Sequence, residues 1–384
     1  NLGIEICEIK KIDNAPTGIF NLYNKTTNFE LATENNEALV LHTSGTTSRP
    51  KVVPLTNKNI FSSAINISNS LRLSSQDHCY NIMPLFHIHG LIAVLSSSIN
   101  AGASIYASSG FNALKFLETA NTESITWYSG VPTMHQAILM RAKKNPKLAE
   151  ELSLRFIRSS SASLPPAVFD ELKKIFKTTV IEAYGMTEAT HQMTSNPMPP
   201  EKQKAGFVGK PAGPEVCIMD AQGNKLDTGV DGEVCIRGNN VTNGYENNEE
   251  ANKTAFINGW FRTGDQGHFD DEGYLKISGR LKEIINRGGE KVSPLEVDNI
   301  LMEHKAVEQV VTFAVKDNLL GEAIGVAIVL KSGIDCNETD IKNYASKHLA
   351  DFKIPKYIRF LKEIPKGATG KLQRIGLAEK LGLE

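Results

Sequence analysis

Between Cys79 and Glu182, short apolar runs alternate with stretches of helical period, and this alternation restricts the possible folds more than any other feature. Residues 79–83 (stopped by Pro84), 104–106, 125–128, 156–159 and 179–182 read as strands. Residues 88–99 (ended by Asn100-Ala101-Gly102), 111–119, 132–144 and 166–176 read as helices. A helix over 57–71, capped by Thr56, precedes them, with Ile60, Ala64, Ile67 and Leu71 at helical spacing. Such repeats predict an α/β fold with a mostly parallel sheet, its loops at the strand ends carrying the chemistry.

The character changes near Pro199. Glycine-rich turns (Gly206, Gly209, Gly213, Gly223, Gly232, Gly238) separate short strands such as 216–220 and 233–237, which predicts a small β-barrel or meander. Beyond Gly279-Arg280, a helix over 294–302, strands over 307–315 and 327–331, and a helix over 338–349 predict a separate α+β unit. The expected domains are therefore 1–280, divided into α/β layers (1–199) and a barrel-like part (200–280), and 281–384.

An apolar run at 38–41, expected to be a short buried strand, leads into Thr43-Ser44-Gly45-Thr46-Thr47-Ser48-Arg49-Pro50-Lys51. Small and hydroxyl side chains let backbone N–H groups approach an anion, and a lysine adds mobile positive charge. This suits a polyphosphate cradle, or else a Ser/Thr-rich surface turn. It is not a Walker loop, because Pro50 and Pro54 bracket Lys51 and predict a loop or hairpin instead of a helix.

With a net charge of −1 over 384 residues, a nucleic-acid or membrane-surface role is not expected, and no apolar run is long enough for a membrane span. The five cysteines (Cys7, Cys79, Cys217, Cys235, Cys336) are scattered without CxxC spacing, so free thiols in a reducing compartment are expected. The start lacks Met, a basic n-region and an apolar h-region, and reads as a chain cut in its middle. No peroxisomal signal ends it, which makes the cytoplasm the expected location.

Four further motifs follow in order: Tyr184-Gly185-Met186-Thr187-Glu188, Trp260-Phe261-Arg262-Thr263-Gly264-Asp265, Gly279-Arg280-Leu281-Lys282-Glu283 and Pro365-Lys366-Gly367-Ala368-Thr369-Gly370-Lys371. Together with the Thr43–Lys51 run they resemble, over essentially the whole chain, the adenylate-forming superfamily of acyl-CoA synthetases, firefly luciferases and peptide-synthetase adenylation domains. The similarity is greatest to the 4-coumarate–CoA ligase-like branch and, within it, to oxalate–CoA ligases, through Pro84-Leu85-Phe86-His87-Ile88-His89-Gly90, Arg158-Ser159-Ser160-Ser161-Ala162-Ser163 and Thr187-Glu188-Ala189-Thr190-His191. The resemblance implies the adenylate-forming fold, with a large N-terminal domain and a small mobile C-terminal lid. Relatives carry roughly a hundred more residues before the phosphate loop, about one domain's length. With 42 residues before Thr43 here, the first subdomain is expected to be truncated.

The resemblance implies an AMP-forming ligase that makes an acyl-adenylate from ATP and then a thioester of coenzyme A, with Mg²⁺ as cofactor. Thr43, Ser44, Gly45, Thr46, Thr47 and Lys51 would hold phosphates. Val52 departs from the usual glycine after the lysine, and a β-branched residue resists positive φ. Ser161, Ala162, Ser163, Glu182, Ala183, Tyr184, Gly185 and Met186 would surround the adenine and AMP. Asp265 would accept from the ribose hydroxyls, and Arg280 would contact ribose or phosphate. Glu188 would hold the metal, Thr187 would meet the α-phosphate, and Lys371 would bridge the acid and that phosphate. Lys282 falls at the hinge. Gly288 and Gly289 would line the coenzyme A tunnel, and Lys353, in a terminal stretch with eight Lys/Arg and three Glu, would meet its phosphates or face solvent.

His87, Ser161 and His191 are candidates for the acid pocket, with His87 also close to the chemistry. Two imidazoles and a hydroxyl favour a second carboxylate on the substrate, which points to oxalate. His89 is expected to be structural. The alternatives are a short-chain, malonyl or aryl acid–CoA ligase and a truncated, non-catalytic nucleotide-binding protein, in either case a monomer or homodimer.

Overall fold

The computed structural model describes residues 8–11, 20–23, 32–43, 51–367 and 371–383. Ser44, Gly45, Thr46 and Thr47 of the phosphate run lie outside the described residues.

The strand–helix alternation builds a seven-stranded sheet in the order Lys210–Pro211, His191–Ser195, Thr179–Met186, Phe156–Ser159, Trp127–Gly130, His78–Asn81, Ser104–Ala107. From Thr179–Met186 to the Ser104–Ala107 edge every pairing is parallel, and the two remaining pairings are antiparallel. Consecutive strand residues feed opposite faces. Cys79, Trp127, Phe156 and Ile181 join Ile67, Leu71 and Ile92 in one apolar cluster. Tyr80, Tyr128, Ile157 and Val180 join Phe116, Ile138 and Leu172 in the other. Both faces are covered, as parallel sheets require.

Helix Asn57–Ser70 begins at a capping box: Asn59 N–H donates to Thr56 Oγ1 at 3.2 Å, and Thr56 N–H donates to Asn59 Oδ1 at 2.8 Å. A cap of this kind stabilises by about 1 kcal/mol. Helices Pro132–Lys144 and Pro166–Phe176 start with proline in the first turn, where its missing N–H costs nothing.

The structure departs from the sequence reading in several places. The expected buried strand at 38–41 is the middle of Glu37–Thr43, which among the described residues pairs only with Lys51–Thr56 in a two-stranded ribbon. One face packs through Leu39 and Leu41, while Val40 is 44% exposed. Val52 stands opposite His42 in this ribbon with ordinary extended backbone, so no glycine is needed there. The apolar stretch expected as one helix over 88–99 opens with a π-helix, His89–Ser96, before a short α-turn, Ser97–Asn100. Ser97 N–H reaches the Ile92 carbonyl five residues back. A segment apolar all round carries no period that separates the two helix forms. The helix expected over 111–119 forms at Phe116–Thr122. Strand 179–182 runs on to Met186, where its partner His191–Ser195, unread in the sequence, pairs with it.

The glycine-rich region is an open five-stranded antiparallel sheet: Glu215–Met219, Gly232–Arg237, Trp260–Phe269 and Phe256–Ile257 in order, with Leu275–Arg280 also on Trp260–Phe269. Beyond Arg280 a further sheet contains Glu290–Val292, Ile285–Arg287, Gly321–Leu330 and Val307–Asp317, with Tyr357–Phe360 parallel to Gly321–Leu330. Helices Pro294–Met302 and Glu338–His348 contribute Val297, Leu301, Ile341 and Ala345 to its core. The terminal arm folds back on itself: Gly367 N–H donates to the Lys371 carbonyl at 2.8 Å, and Gln373 N–H to that of Pro365 at 2.9 Å. Arg374 fastens the arm through Asp298 at 2.8 Å and Glu283 at 3.2 Å. Among the described residues no helix is long and apolar enough to cross a membrane.

Candidate active site

A cavity of about 720 Å³ is lined by residues from the ribbon, the large sheet, the glycine-rich sheet and the terminal arm. On its wall Thr43 and Lys51 face each other across the ribbon. The Lys51 ammonium lies 4.2 Å from the Tyr245 ring centroid. Burial lowers its pKa, Glu188 opposes that shift and Lys282 adds to it. Strand Thr179–Met186 runs into a 3₁₀ turn, Thr187–Ala189, which presents Glu188. Glu188 is buried and accepts a 2.9 Å bond from the Tyr245 hydroxyl.

Asp265 is buried between two donors: Arg280 Nε at 2.8 Å and the Tyr184 hydroxyl. Burial raises the Asp265 carboxyl, and Arg280 opposes the rise. Lys371 retains solvent contact as a residue, yet enough protein surrounds its ammonium that desolvation lowers its pKa. Arg280 lowers it further, while Asp265 and Glu283 raise it. The terminal arm thus delivers a cation to the Asp265–Arg280 pair.

Three histidines, His87, His89 and His191, gather in and beside the cavity. Burial, then Lys371, pushes His87 down to about 4. His191 is held well below the usual imidazole range by burial and by Arg158, His89 and His87. Neither of its ring nitrogens has a hydrogen-bond partner among the described residues. Ser161, Thr190 and His191 have positive φ (70°, 49° and 93°), strain of a kind that gathers at functional sites. Gly185 lets the strands close here, since a Cβ at this position would stand 1.8 Å from the His191 carbonyl oxygen.

Of the expected site residues, Thr43, Lys51, His87, Ser161, Gly185, Met186, Thr187, Glu188, His191, Arg280, Lys282 and Lys371 line the cavity. Tyr184 and Asp265 meet beside it. Glu182 sits behind it: Leu164 N–H donates to its Oε1 at 2.9 Å, and burial raises its carboxyl to about 8. It holds the loop carrying Ala162 and Ser163, which with buried Ala183 stay outside the lining. Gly288 and Gly289 form the positive-φ turn between Ile285–Arg287 and Glu290–Val292, and Lys353 is paired with Glu296 at 2.6 Å; none of the three lines the cavity.

Sequence reasoning missed Tyr245, which carries no local signal, and gave Glu283 no role although it ends the Gly279–Glu283 motif. It placed Arg158 within the Arg158–Ser163 run but gave it no role, although a charge inside the apolar strand Phe156–Ser159 was a signal. Arg158 is fully buried and burial lowers its pKa to about 9, which leaves it charged at neutral pH.

The family model described as AMP-binding enzyme matches residues 8–246, and the AMP-binding enzyme C-terminal domain matches residues 296–371. An oxalate–CoA ligase of Arabidopsis thaliana is 51% identical over 340 residues, 88% of this chain and 66% of that protein. One from Saccharomyces cerevisiae is 48% identical over 91% of this chain and 64% of its own length. The chain therefore spans 64–66% of the length of these relatives. ATP-bound MatB from Rhodopseudomonas palustris superposes with a TM-score of 0.85 at 29% identity, covering 91% of this chain and 69% of that one. The O-succinylbenzoate–CoA synthetase MenE of Bacillus subtilis, in complex with ATP and magnesium ion, gives a TM-score of 0.79 at 31% identity, covering 90% and 71%.

Proposed function

The chain belongs to the AMP-binding enzyme family, and from that premise we propose that it is an AMP-forming acid–CoA ligase, with oxalate as its acid. The observation that carries this reading is the meeting of Lys371, from the terminal arm, with Asp265–Arg280, Glu188 and the histidine pocket around one cavity.

In the first half-reaction an acid oxygen attacks the α-phosphorus of ATP. The bond to the bridging oxygen breaks and pyrophosphate leaves. In the second, the coenzyme A sulfur attacks the acyl carbonyl and AMP departs. Phosphoryl transfer asks a protein mainly for positioning and charge neutralisation. Lys51 and Thr43 would meet the β- and γ-phosphates, Thr187 the α-phosphate, and Asp265 the ribose hydroxyls, with Arg280 holding Asp265 in place. Tyr184 and Gly185 would flank the adenine. Lys371 would stabilise charge developing between the acid and the α-phosphate.

Glu188 suits magnesium: it is a buried carboxylate with one oxygen steadied by Tyr245 and no cluster of three metal-binding side chains around it among the described residues. Magnesium takes one or two protein carboxylates and completes its shell with phosphate oxygens. When bound, it would neutralise triphosphate charge. For the second step a rotation at Lys282 would withdraw Lys371 and bring Gly288 and Gly289 to the pantetheine arm. Lys353 would then exchange Glu296 for a coenzyme A phosphate. The free cysteines (Cys79, Cys217, Cys235 and Cys336) suit the cytoplasm.

Oxalate is favoured by the acid pocket. A second carboxylate out of water needs donors or cations, or it costs several kcal/mol. The Ser161 hydroxyl, the His191 ring (unpartnered among the described residues) and His87 would supply donors, with the Arg158 charge behind them. The test is an acid panel (oxalate, malonate, acetate, an aryl acid) with ATP and coenzyme A, scored by thioester mass, in the parent and in His191→Ala. Oxalyl-CoA should dominate in the parent, and the substitution should cost oxalate at least tenfold more than acetate. Equal loss for both acids would remove the dicarboxylate pocket.

A further inference from the structure

Arg158 is a fully buried cation that makes no ion pair among the described residues. Its partners are neutral: NH1 donates to Ser129 Oγ at 3.3 Å, and NH2 donates to Gln192 Oε1 at 3.1 Å. NH1 also lies 3.5 Å from His89 Nε2. His89 is fully buried and bound at both nitrogens, with Nε2 2.7 Å from Ser129 Oγ and Nδ1 3.0 Å from Ser161 Oγ. Four side chains from three segments thus form a line from the buried guanidinium to the cavity wall, where Ser161 stands.

The direction of these bonds can be derived. A guanidinium only donates, so Ser129 Oγ accepts from it. A proton on His89 Nε2 would then face the Arg158 N–H and leave the Ser129 hydroxyl hydrogen without an acceptor among the described residues. A bare Nε2 removes both conflicts, because Ser129 donates to it. His89 is held neutral by burial and by the Arg158 charge, so its one proton sits on Nδ1 and is donated to Ser161 Oγ. Ser161, accepting from behind, turns its own hydrogen toward the cavity.

We propose that Arg158, acting through Ser129 and His89, is a positioning residue that presets Ser161 as a hydrogen-bond donor toward the acid's carboxylate. With the opposite polarity, Ser161 would present lone pairs to an anion and repel it. The uncompensated Arg158 charge adds a field of the same sense, since a buried cation without a counter-ion favours entry of an anion. The role in substrate selection rests on the ligase reading above, whereas the polarity of the line does not.

The test separates the two. The full chain, labelled with ¹⁵N-histidine, is examined by long-range ¹H–¹⁵N correlation, with His89 assigned through its loss in His89→Asn. The expected result is a neutral ring protonated at Nδ1, converting to a mixture or to the Nε2–H form in Arg158→Met. A His89 protonated at Nε2, or at both nitrogens, in the unmodified protein overturns the proposal whichever acid is used. Kinetics give the second readout. Asparagine places an N–H near the Nδ1 position and glutamine near Nε2, so His89→Asn should keep the acid KM within a few-fold. His89→Gln and Ser129→Ala should raise it on the order of 10- to 100-fold with the ATP KM unchanged, the loss of a bond to a charged group. Ser129→Thr should restore it. Equal KM for the Asn and Gln variants would also overturn the relay. A parent enzyme that prefers monocarboxylic acids would remove oxalate and leave the polarity result intact.

Discussion

The Tyr245 hydroxyl donates a 2.9 Å hydrogen bond to Glu188 Oε1, and the ring of the same tyrosine carries the Lys51 ammonium 4.2 Å from its centroid. One side chain therefore spaces a carboxylate from a cation on the cavity wall. Tyr245→Phe keeps the ring and removes the bond. A lost hydrogen bond to a buried charge costs about 1.5–3 kcal/mol. The variant should need at least about tenfold more magnesium for half-maximal rate, with Lys51 still in place. Tyr245→Ala should add a further loss in ATP affinity, measured by ATP–pyrophosphate exchange at varied magnesium.

Lys371 reaches the cavity from the terminal arm, and Arg374 anchors that arm through Asp298. Lys371→Met keeps the stem and removes the charge. Acid-dependent pyrophosphate exchange should fall at least about 100-fold, the scale of losing one transition-state donor. Thioester formation from a supplied acyl-adenylate should change less than tenfold. Comparable loss in both assays would deny a role confined to the first step.

Gly185 has no room for a side chain, since a Cβ would approach the His191 carbonyl to 1.8 Å. Gly185→Ala must push apart the pairing of His191–Ser195 with Thr179–Met186. Stability should drop by about 1–3 kcal/mol in urea melts, and acid-dependent turnover should be lost with it.

His135 is fully buried, its Nδ1 lies 3.1 Å from the Tyr128 hydroxyl, and burial lowers its pKa to about 4. Between pH 6.5 and about 4 the unfolded chain binds a proton that the folded chain refuses, so stability falls as pH falls through this window. Above it both states are neutral and the contribution is constant. From pH 7 to pH 5 this histidine should cost about 2 kcal/mol. His135→Gln should remove that slope in urea melts at the two pH values, whatever it does to stability at pH 7.

The legible parts of this protein were local. Strand Phe156–Ser159 and helices Pro132–Lys144, Pro166–Phe176 and Pro294–Met302 have the bounds that period and proline signals predict. The Thr56 cap was readable as a short local signal, whereas Thr187-Glu188 and the Asp265 and Lys371 motifs were readable only together, by their order and their resemblance to a known family. The ribbon strand Glu37–Thr43 was misread because apolar content does not say whether one face or two will be covered. The π-helix His89–Ser96 was missed because nothing in an all-apolar run marks a wider turn.

Residue order alone established the α/β architecture, the loops and the caps, since these follow from backbone preferences and hydrophobic period over a few neighbours, and its motifs proposed which side chains bind phosphate or acid. Whether those side chains meet was settled by long-range packing. Tyr245 finds Glu188 across 57 positions and Arg158 reaches Ser129 across 29. Burial then leaves His87, His89 and His191 neutral beside a charged Arg158. Desolvation and hydrogen-bond direction depend on what surrounds a group in three dimensions, and no local run of sequence encodes its surroundings.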